Sequence, residues 1–135
     1  MKKYYFAYGL SLEESHMVDL YPTARFYKFG SLRGFRLIFS GVGICSLKNG
    51  SINDMIEGVV YELEEEIKPP LEGSILSSLD VMTHDGKYVL ASVFITKDKN
   101  LVPPQEEYVM RIHKKYQDYG FNMKPLEDAL DKSTY

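Results

Sequence analysis

The stretch Tyr4-Tyr5-Phe6-Ala7-Tyr8-Gly9-Leu10-Ser11-Leu12 constrains this chain most. An aromatic and apolar run of that length reads as a buried strand. It stops at a glycine and enters Ser11-Leu12-Glu13-Glu14, where Ser and Glu stand three apart as in a capping box. The expectation is a strand over 4–8, a turn at Gly9 and a short helix over about 12–19, closed off by Pro22. A strand that ends on a glycine and opens onto a helix start leaves backbone N–H groups unpaired. Such groups hold an anion or a polarised carbonyl. The turn therefore reads as the floor of a small-molecule pocket. The plainer reading is a buried first strand and an ordinary turn.

The rest of the composition narrows the class. A chain of 135 residues is one domain's worth, here 1–135, and is long enough to bury a core. With 11 Tyr, 7 Phe and no Trp, strands are favoured over a helix bundle. The net charge of −3 is spread over interspersed acids and bases without a basic stripe, so no nucleic-acid partner is expected. Lys2 and Lys3 precede a run too short and tyrosine-rich for a signal peptide, and no stretch is long enough to span a bilayer. The expectation is a cytoplasmic protein without a membrane partner. The single cysteine, Cys45, has no partner for an internal disulfide and reads as a small apolar core residue. As a nucleophile it would need a base that nothing nearby in sequence supplies. His16, His84 and His113 are scattered without ligand spacing, so no metal site is expected. Gly9 stands alone, which gives neither a phosphate loop nor a dinucleotide fingerprint, and no cofactor is expected.

Further along, Arg25 to Leu32 reads as extended, and Phe35, Leu37 and Phe39 alternate onto one face. Val42, Ile44 and Leu47 suggest another short strand, followed by a turn at Lys48-Asn49-Gly50-Ser51 whose Asn-Gly pair suits positive φ. Ile56 to Leu63 is a strand, with Gly58 marking a bulge or a close backbone approach. Pro69 and Pro70 are expected to start a helical segment through about Leu79, with Leu71, Ile75, Leu76 and Leu79 at helical spacing. Thr83-His84-Asp85-Gly86 is polar and irregular. Tyr88 to Ile95 is nearly all apolar and reads as a strand buried on both faces. A long helix over about 105–119 carries Tyr108, Ile112, Tyr116 and Tyr119 on one stripe, and a last helix is expected over 124–132. Strands and helices that do not alternate strictly point to an α+β fold, a small mixed β-barrel or sheet flanked by short helices.

Several of these stretches, taken in order, resemble the γ-glutamylcyclotransferase-like (AIG2-like) family. Tyr5-Phe6-Ala7-Tyr8-Gly9 is similar to the family's first strand, which ends in Y-G-S-N-L. Pro22-Thr23-Ala24 and Leu32-Arg33-Gly34-Phe35-Arg36-Leu37-Ile38-Phe39 resemble its "P-x-A … L-x-G-Y/F-R-L-x-F" stretch. Ile56-Glu57-Gly58-Val59-Val60-Tyr61-Glu62-Leu63 resembles "V-x-G-V-V-Y-x-L". Leu79-Asp80 falls where the family has L-D-x-x-E-G, and Tyr88 where a tyrosine follows. The late helix with Tyr108 and Ile112, then Tyr119-Gly120, also fits. The match covers nearly the whole chain. It implies a small mixed barrel flanked by helices and a pocket at the loop of Tyr8, Gly9, Leu10, Ser11 and Leu12, with Tyr88 beside it.

The resemblance also implies a chemistry. The α-amine of a γ-glutamyl compound attacks its own γ-carbonyl, forming 5-oxoproline and releasing an amine or amino acid. A carboxylate must take the amine's proton and later protonate the leaving group. Donors must face the oxyanion. In the family the glutamate of L-D-x-x-E-G carries the proton.

Counted from Leu79-Asp80, that glutamate falls on Thr83, whose hydroxyl is neutral at pH 7, and the following glycine falls on His84. In the loop, the family's Ser and Asn fall on Leu10 and Ser11. Asp85, two residues past Thr83, faces the same way in an extended segment and is the candidate catalytic base. His84 has a suitable intrinsic pKa but sits in a polar turn. Glu72-Gly73 is a Glu-Gly pair upstream of the counted position and reads as coincidence; Asp80 reads as structural. Two functions follow. One is a cyclotransferase-like enzyme acting on a γ-glutamyl amine or peptide. The other is a non-catalytic binding or regulatory module that keeps the pocket.

Overall fold

In the computed structural model, which describes residues 2–69, 73–98 and 100–133, five strands close a barrel. In barrel order they are β1 (Lys3–Ala7), β5 (Met55–Leu63), β2 (Arg25–Arg33), β6 (Ser74–Thr83) and β7 (Tyr88–Thr96). β7 returns to β1 as a parallel neighbour, with Tyr5 opposite Ser92 and Phe6 opposite Val93. The other barrel pairs are antiparallel. Between β2 and β5 in sequence lies a separate antiparallel hairpin, β3 (Phe35–Ser40) with β4 (Ile44–Asn49). Helices α1 (Glu14–Leu20), α2 (Glu106–Tyr119) and α3 (Lys124–Ser133) flank the strands. This is the expected α+β class with a small mixed barrel.

The first strand anchors the core because Tyr5, Phe6, Ala7 and Tyr8 are all buried. They meet Val59, Val60 and Tyr61 of β5, Val93 of β7, and Ile112 and Tyr116 of α2 in one cluster. Fully burying one such large side chain contributes about 1.5–3 kcal/mol. Gly58 is a close approach rather than a bulge. A β-carbon there would overlap the Ala7 carbonyl oxygen and lie 2.8 Å from the Phe6 ring. Any larger residue would push β5 off β1.

Four local expectations change. The helix expected from Pro69 to Leu79 is a strand from Ser74 onward, while Pro70, Leu71 and Glu72 lie outside the described residues. Ladder pairing decided this: β6 matches β7 continuously from Ser74↔Thr96 to Met82↔Tyr88, and that long-range pairing overrides helical spacing of three leucines and an isoleucine. β7 is not buried on both faces, because Ala91 and Val93 point inward whereas Tyr88 and Leu90 are 66% and 63% exposed. The capping box does not form. Glu13 caps α1 without a side-chain hydrogen bond, and residues 10–12 make a 3₁₀ turn instead. Gly50 does not take positive φ; the turn falls later, where Asp54 N–H donates to the Ser51 carbonyl. No helix among the described residues is long and apolar enough to cross a membrane.

Candidate functional site

The turn after β1 is a single 3₁₀ turn, Leu10–Leu12, in which Leu12 N–H donates to the Gly9 carbonyl and Glu13 N–H to the Leu10 carbonyl. The leading N–H groups of a helical turn, here those of Leu10 and Ser11, have no acceptor within the turn itself. Gly9 is required by space. A β-carbon there would stand 2.9 Å from Cβ of Cys45 on β4. Leu12 lies beneath the turn, fully buried in the core.

Above the turn is a cavity of about 200 Å³ whose wall includes Tyr8, Leu10, His16, Ile44, Phe94 and Tyr108. Two of its tyrosines are tied down. The Tyr8 hydroxyl donates to the Phe94 carbonyl, and the Tyr108 hydroxyl accepts from the Cys45 N–H at 2.8 Å. Burial pushes both phenols up, with the Cys45 thiol adding to each, so they stay protonated. Burial also pushes the Cys45 thiol up to about 12, with the Tyr108 hydroxyl opposing. A thiol held protonated is a poor nucleophile, which fits the reading of Cys45 as a small apolar residue. His16, half-buried on α1, is held below its usual value by burial and by Arg111; Glu13 and Asp19 pull the other way. Arg111 of α2 grips Glu13 with both its Nε, at 2.9 Å, and an amino group. That pair fastens the turn to α2.

No protein-family model and no curated protein matches the chain. Solved structures do. One described as gamma-glutamyl cyclotransferase superposes with a TM-score of 0.80 at 20% identity, over 96% of this chain and 86% of that one. The uncharacterized human protein loc79017 superposes with a TM-score of 0.78 at 21% identity, over 95% and 86%. YkqA from Bacillus subtilis does so at 0.67 and 17% identity, over 98% of this chain but 54% of its own. The chain has the γ-glutamyl cyclotransferase-like fold.

Within this γ-glutamyl cyclotransferase-like fold the expected site residues divide. Tyr8, Gly9, Leu10 and Ser11 line the cavity; Leu12, Thr83, Asp85 and Tyr88 do not. Thr83 ends β6, opposite Gly30 of β2. Its hydroxyl donates to the Asp85 carboxylate, whose other oxygen takes Lys28 Nζ at 2.6 Å. Lys28 and then the Thr83 hydroxyl hold the Asp85 carboxyl well below the usual carboxylate range. A carboxylate so stabilised is a weak base. Leu79 and Asp80 sit in mid-strand, paired with Ala91 and Leu90, and not in a segment leading to a Glu-Gly pair. The start of β6 is elsewhere. Ser74 pairs with Thr96, whose N–H donates to Ser46 Oγ at 2.9 Å, next to Cys45 in the cavity wall. The sequence reading did not pick out His16, Leu20, Ile44 and Phe94 as wall residues. For His16 and Leu20 there was a signal, since four residues apart on a helix they share a face. Ile44 and Phe94 reach the wall through strand pairing, which leaves no local mark.

Proposed function

We propose that this protein takes a γ-glutamyl compound into the cavity at Tyr8–Ser11 and cyclises it to 5-oxoproline, releasing the amine. The observation that supports this is the cavity itself. It opens on the turn after β1, in a fold shared with a structure described as gamma-glutamyl cyclotransferase, at the place where the sequence resemblance puts the substrate. The opening amides of the turn suit the glutamyl carboxylate or the developing oxyanion.

The proton carrier in this proposal is Glu72. The count that put the family glutamate on Thr83 started from Leu79-Asp80, and those residues are strand. The linker between β5 and β6 contains a Glu-Gly pair, Glu72-Gly73, directly before Ser74. Glu72 lies outside the described residues, but Gly73 accepts a hydrogen bond from the Lys97 N–H at 2.9 Å at the end of the β6–β7 ladder nearest Ser46. Asp85 is at the other end of β6. In this scheme Glu72 takes the α-amine proton as nitrogen attacks the γ-carbonyl carbon, then delivers it to the departing nitrogen as the amide C–N bond breaks.

The test is 5-oxoproline release from a panel of γ-glutamyl amines and dipeptides by the wild type, Glu72→Gln and Asp85→Asn. Release by the wild type and Asp85→Asn, with loss of about 10²-fold or more in Glu72→Gln, supports the scheme. Saturable binding without release by any variant would support the non-catalytic module instead.

A further inference from the structure

We infer that β6 is a docking edge: an extended segment of another protein adds to it as a further strand, with apolar side chains at alternate positions and a cation opposite Asp80. The direction of each amide in β6 follows from hydrogen bonds at its two ends. The Lys97 N–H donates to the Gly73 carbonyl at 2.9 Å, and the Thr83 N–H donates to the Lys87 carbonyl at 2.7 Å. Between them the register with β7 runs from Ser74↔Thr96 to Met82↔Tyr88 without a shift. Backbone groups alternate sides along an antiparallel strand, so the odd-numbered residues of β6 bond β7 and the even-numbered ones face away. The His84 N–H, which donates to the Phe29 carbonyl of β2 at 3.0 Å, agrees with that parity. β2 pairs with β6 only at Thr83 and Met82, while its last residues follow β5 to Arg33↔Met55. The N–H and C=O groups of Leu76, Ser78 and Asp80 are therefore left beyond the end of β2, and no strand among the described residues pairs with them.

This edge lacks the usual protection. Proteins blunt an open edge with proline, lysine, a bulge or a covering segment. Ser74–Thr83 holds no proline and no lysine, and its ladder with β7 has no bulge. Apolar side chains are also left partly uncovered. On the face that turns into the barrel Val81 is fully buried, but Leu79 is half-buried and Ile75 is 39% exposed although it pairs with Ile95. An added strand would extend the wall over them. The other face carries Ser78 and Asp80, both exposed. Asp80 is the only charge on β6 and has no ion partner among the described residues. A lysine or arginine opposite it makes a favourable cross-strand pair. A second copy of β6, paired antiparallel about Ser78, would instead set Asp80 opposite Leu76 of the other copy. Charge thus selects a basic strand from another protein over self-pairing.

The probe is the peptide acetyl-Lys-Val-Thr-Val-Thr-amide. Lying antiparallel, it puts its lysine opposite Asp80 and its central threonine opposite Ser78. Binding to the full chain is read from amide chemical shifts, which are expected to move most at Leu76, Ser78 and Asp80. N-methylation of the central threonine, whose N–H faces Ser78, should weaken Kd about tenfold or more, and N-methylation of the first valine, whose N–H faces away, about threefold or less. Glutamate in place of the peptide lysine should weaken binding about threefold, and this preference should reverse in Asp80→Lys. Ser78→Pro should melt close to the wild type, since its N–H takes no part in the β6–β7 ladder, yet lose the peptide. Asp80→Lys keeps the test decisive if Ser78→Pro does not fold. Absence of saturable shifts, shifts centred away from β6, equal effects of the two methylations, or an unreversed preference in Asp80→Lys overturns the inference. A wild-type dimer in sedimentation that Ser78→Pro dissociates would put a second copy on the edge and overturn it too.

Discussion

Gly9 and Cys45 are packed so closely that a β-carbon on Gly9 would lie 2.9 Å from the β-carbon of Cys45 and 3.3 Å from its sulfur. Neither neighbour can yield easily, because Cys45 is 3% exposed and its amide is held by Tyr108. The turn that carries Leu10 and Ser11 is thus set against β4 by the absence of a side chain. Gly9→Ala is expected to cost about 1–3 kcal/mol of stability, as overpacking does. It should also weaken binding of any cavity ligand, since relief of the clash moves the turn. Urea denaturation and a binding titration on the same variant check both; a fully stable Gly9→Ala with unchanged binding would contradict this account of the turn.

Tyr108 reaches from α2 to the Cys45 amide on β4 and accepts its N–H across 2.8 Å. Tyr108→Phe keeps the ring against Phe39 but takes the hydroxyl acceptor away from the Cys45 N–H. The expected loss is about 1–3 kcal/mol, read as a lower urea midpoint at unchanged m-value. A loss well below 1 kcal/mol would mean that the amide finds water when the hydroxyl is removed.

Much of the fold could be read from local pattern, for physical reasons that the exceptions make plain. β1, β5 and α2 were legible because each has a strong period and clear punctuation, from the Tyr-rich run ending at Gly9 to the helix closed by Gly120. β6 was not. Ile75, Leu76 and Leu79 satisfy a helical face as well as a strand, and the pairing with β7 that settles the matter joins Ser74 to Thr96 across the hairpin. The search for a carboxylate ran forward to Thr83 and Asp85 because it was counted along L-D-x-x-E-G from Leu79-Asp80. With β6 as a strand, the segment before it comes into question. The turn at Gly9 was found because glycine after an aromatic strand is a local signal. Phe94 reaches the wall on a barrel strand and Ile44 on the separate β3–β4 hairpin, and neither pairing leaves a local signature.

His16 should titrate below an ordinary histidine, and its neighbours set the sign of each mutational change. Arg111 lowers it and Glu13 raises it, beneath the larger effect of burial. Arg111→Gln is therefore expected to raise the His16 midpoint and Glu13→Gln to lower it. An NMR titration of the imidazole Cε1–H in the three proteins decides this. Either variant on its own is expected to cost about 1 kcal/mol of stability, since the Arg111 side chain is 45% exposed. Shifts of the same sign in both variants would mean that the mutations act by loosening the turn and not through charge.

Asp85 is expected to behave as a structural staple of the β6–β7 hairpin. It accepts from the Thr83 hydroxyl and from Lys28 on β2, which ties the hairpin to the barrel across the Gly30↔Thr83 pairing. Its folded pKa is depressed, first by Lys28 and then by Thr83. The sign follows from proton binding. Above the unfolded aspartate pKa of about 3.9 the folded state benefits fully from the ionised carboxylate, and that benefit is lost as pH falls through the lower folded value. Asp85→Asn should therefore be slightly less stable than wild type at pH 7, with the gap shrinking as pH falls below about 4. The pair is partly exposed, so high salt should also narrow the gap. Thermal melts of both proteins between pH 2 and 8, at low and high salt, test this. A gap that grew on acidification would show that the carboxylate is held for some purpose other than its pair with Lys28.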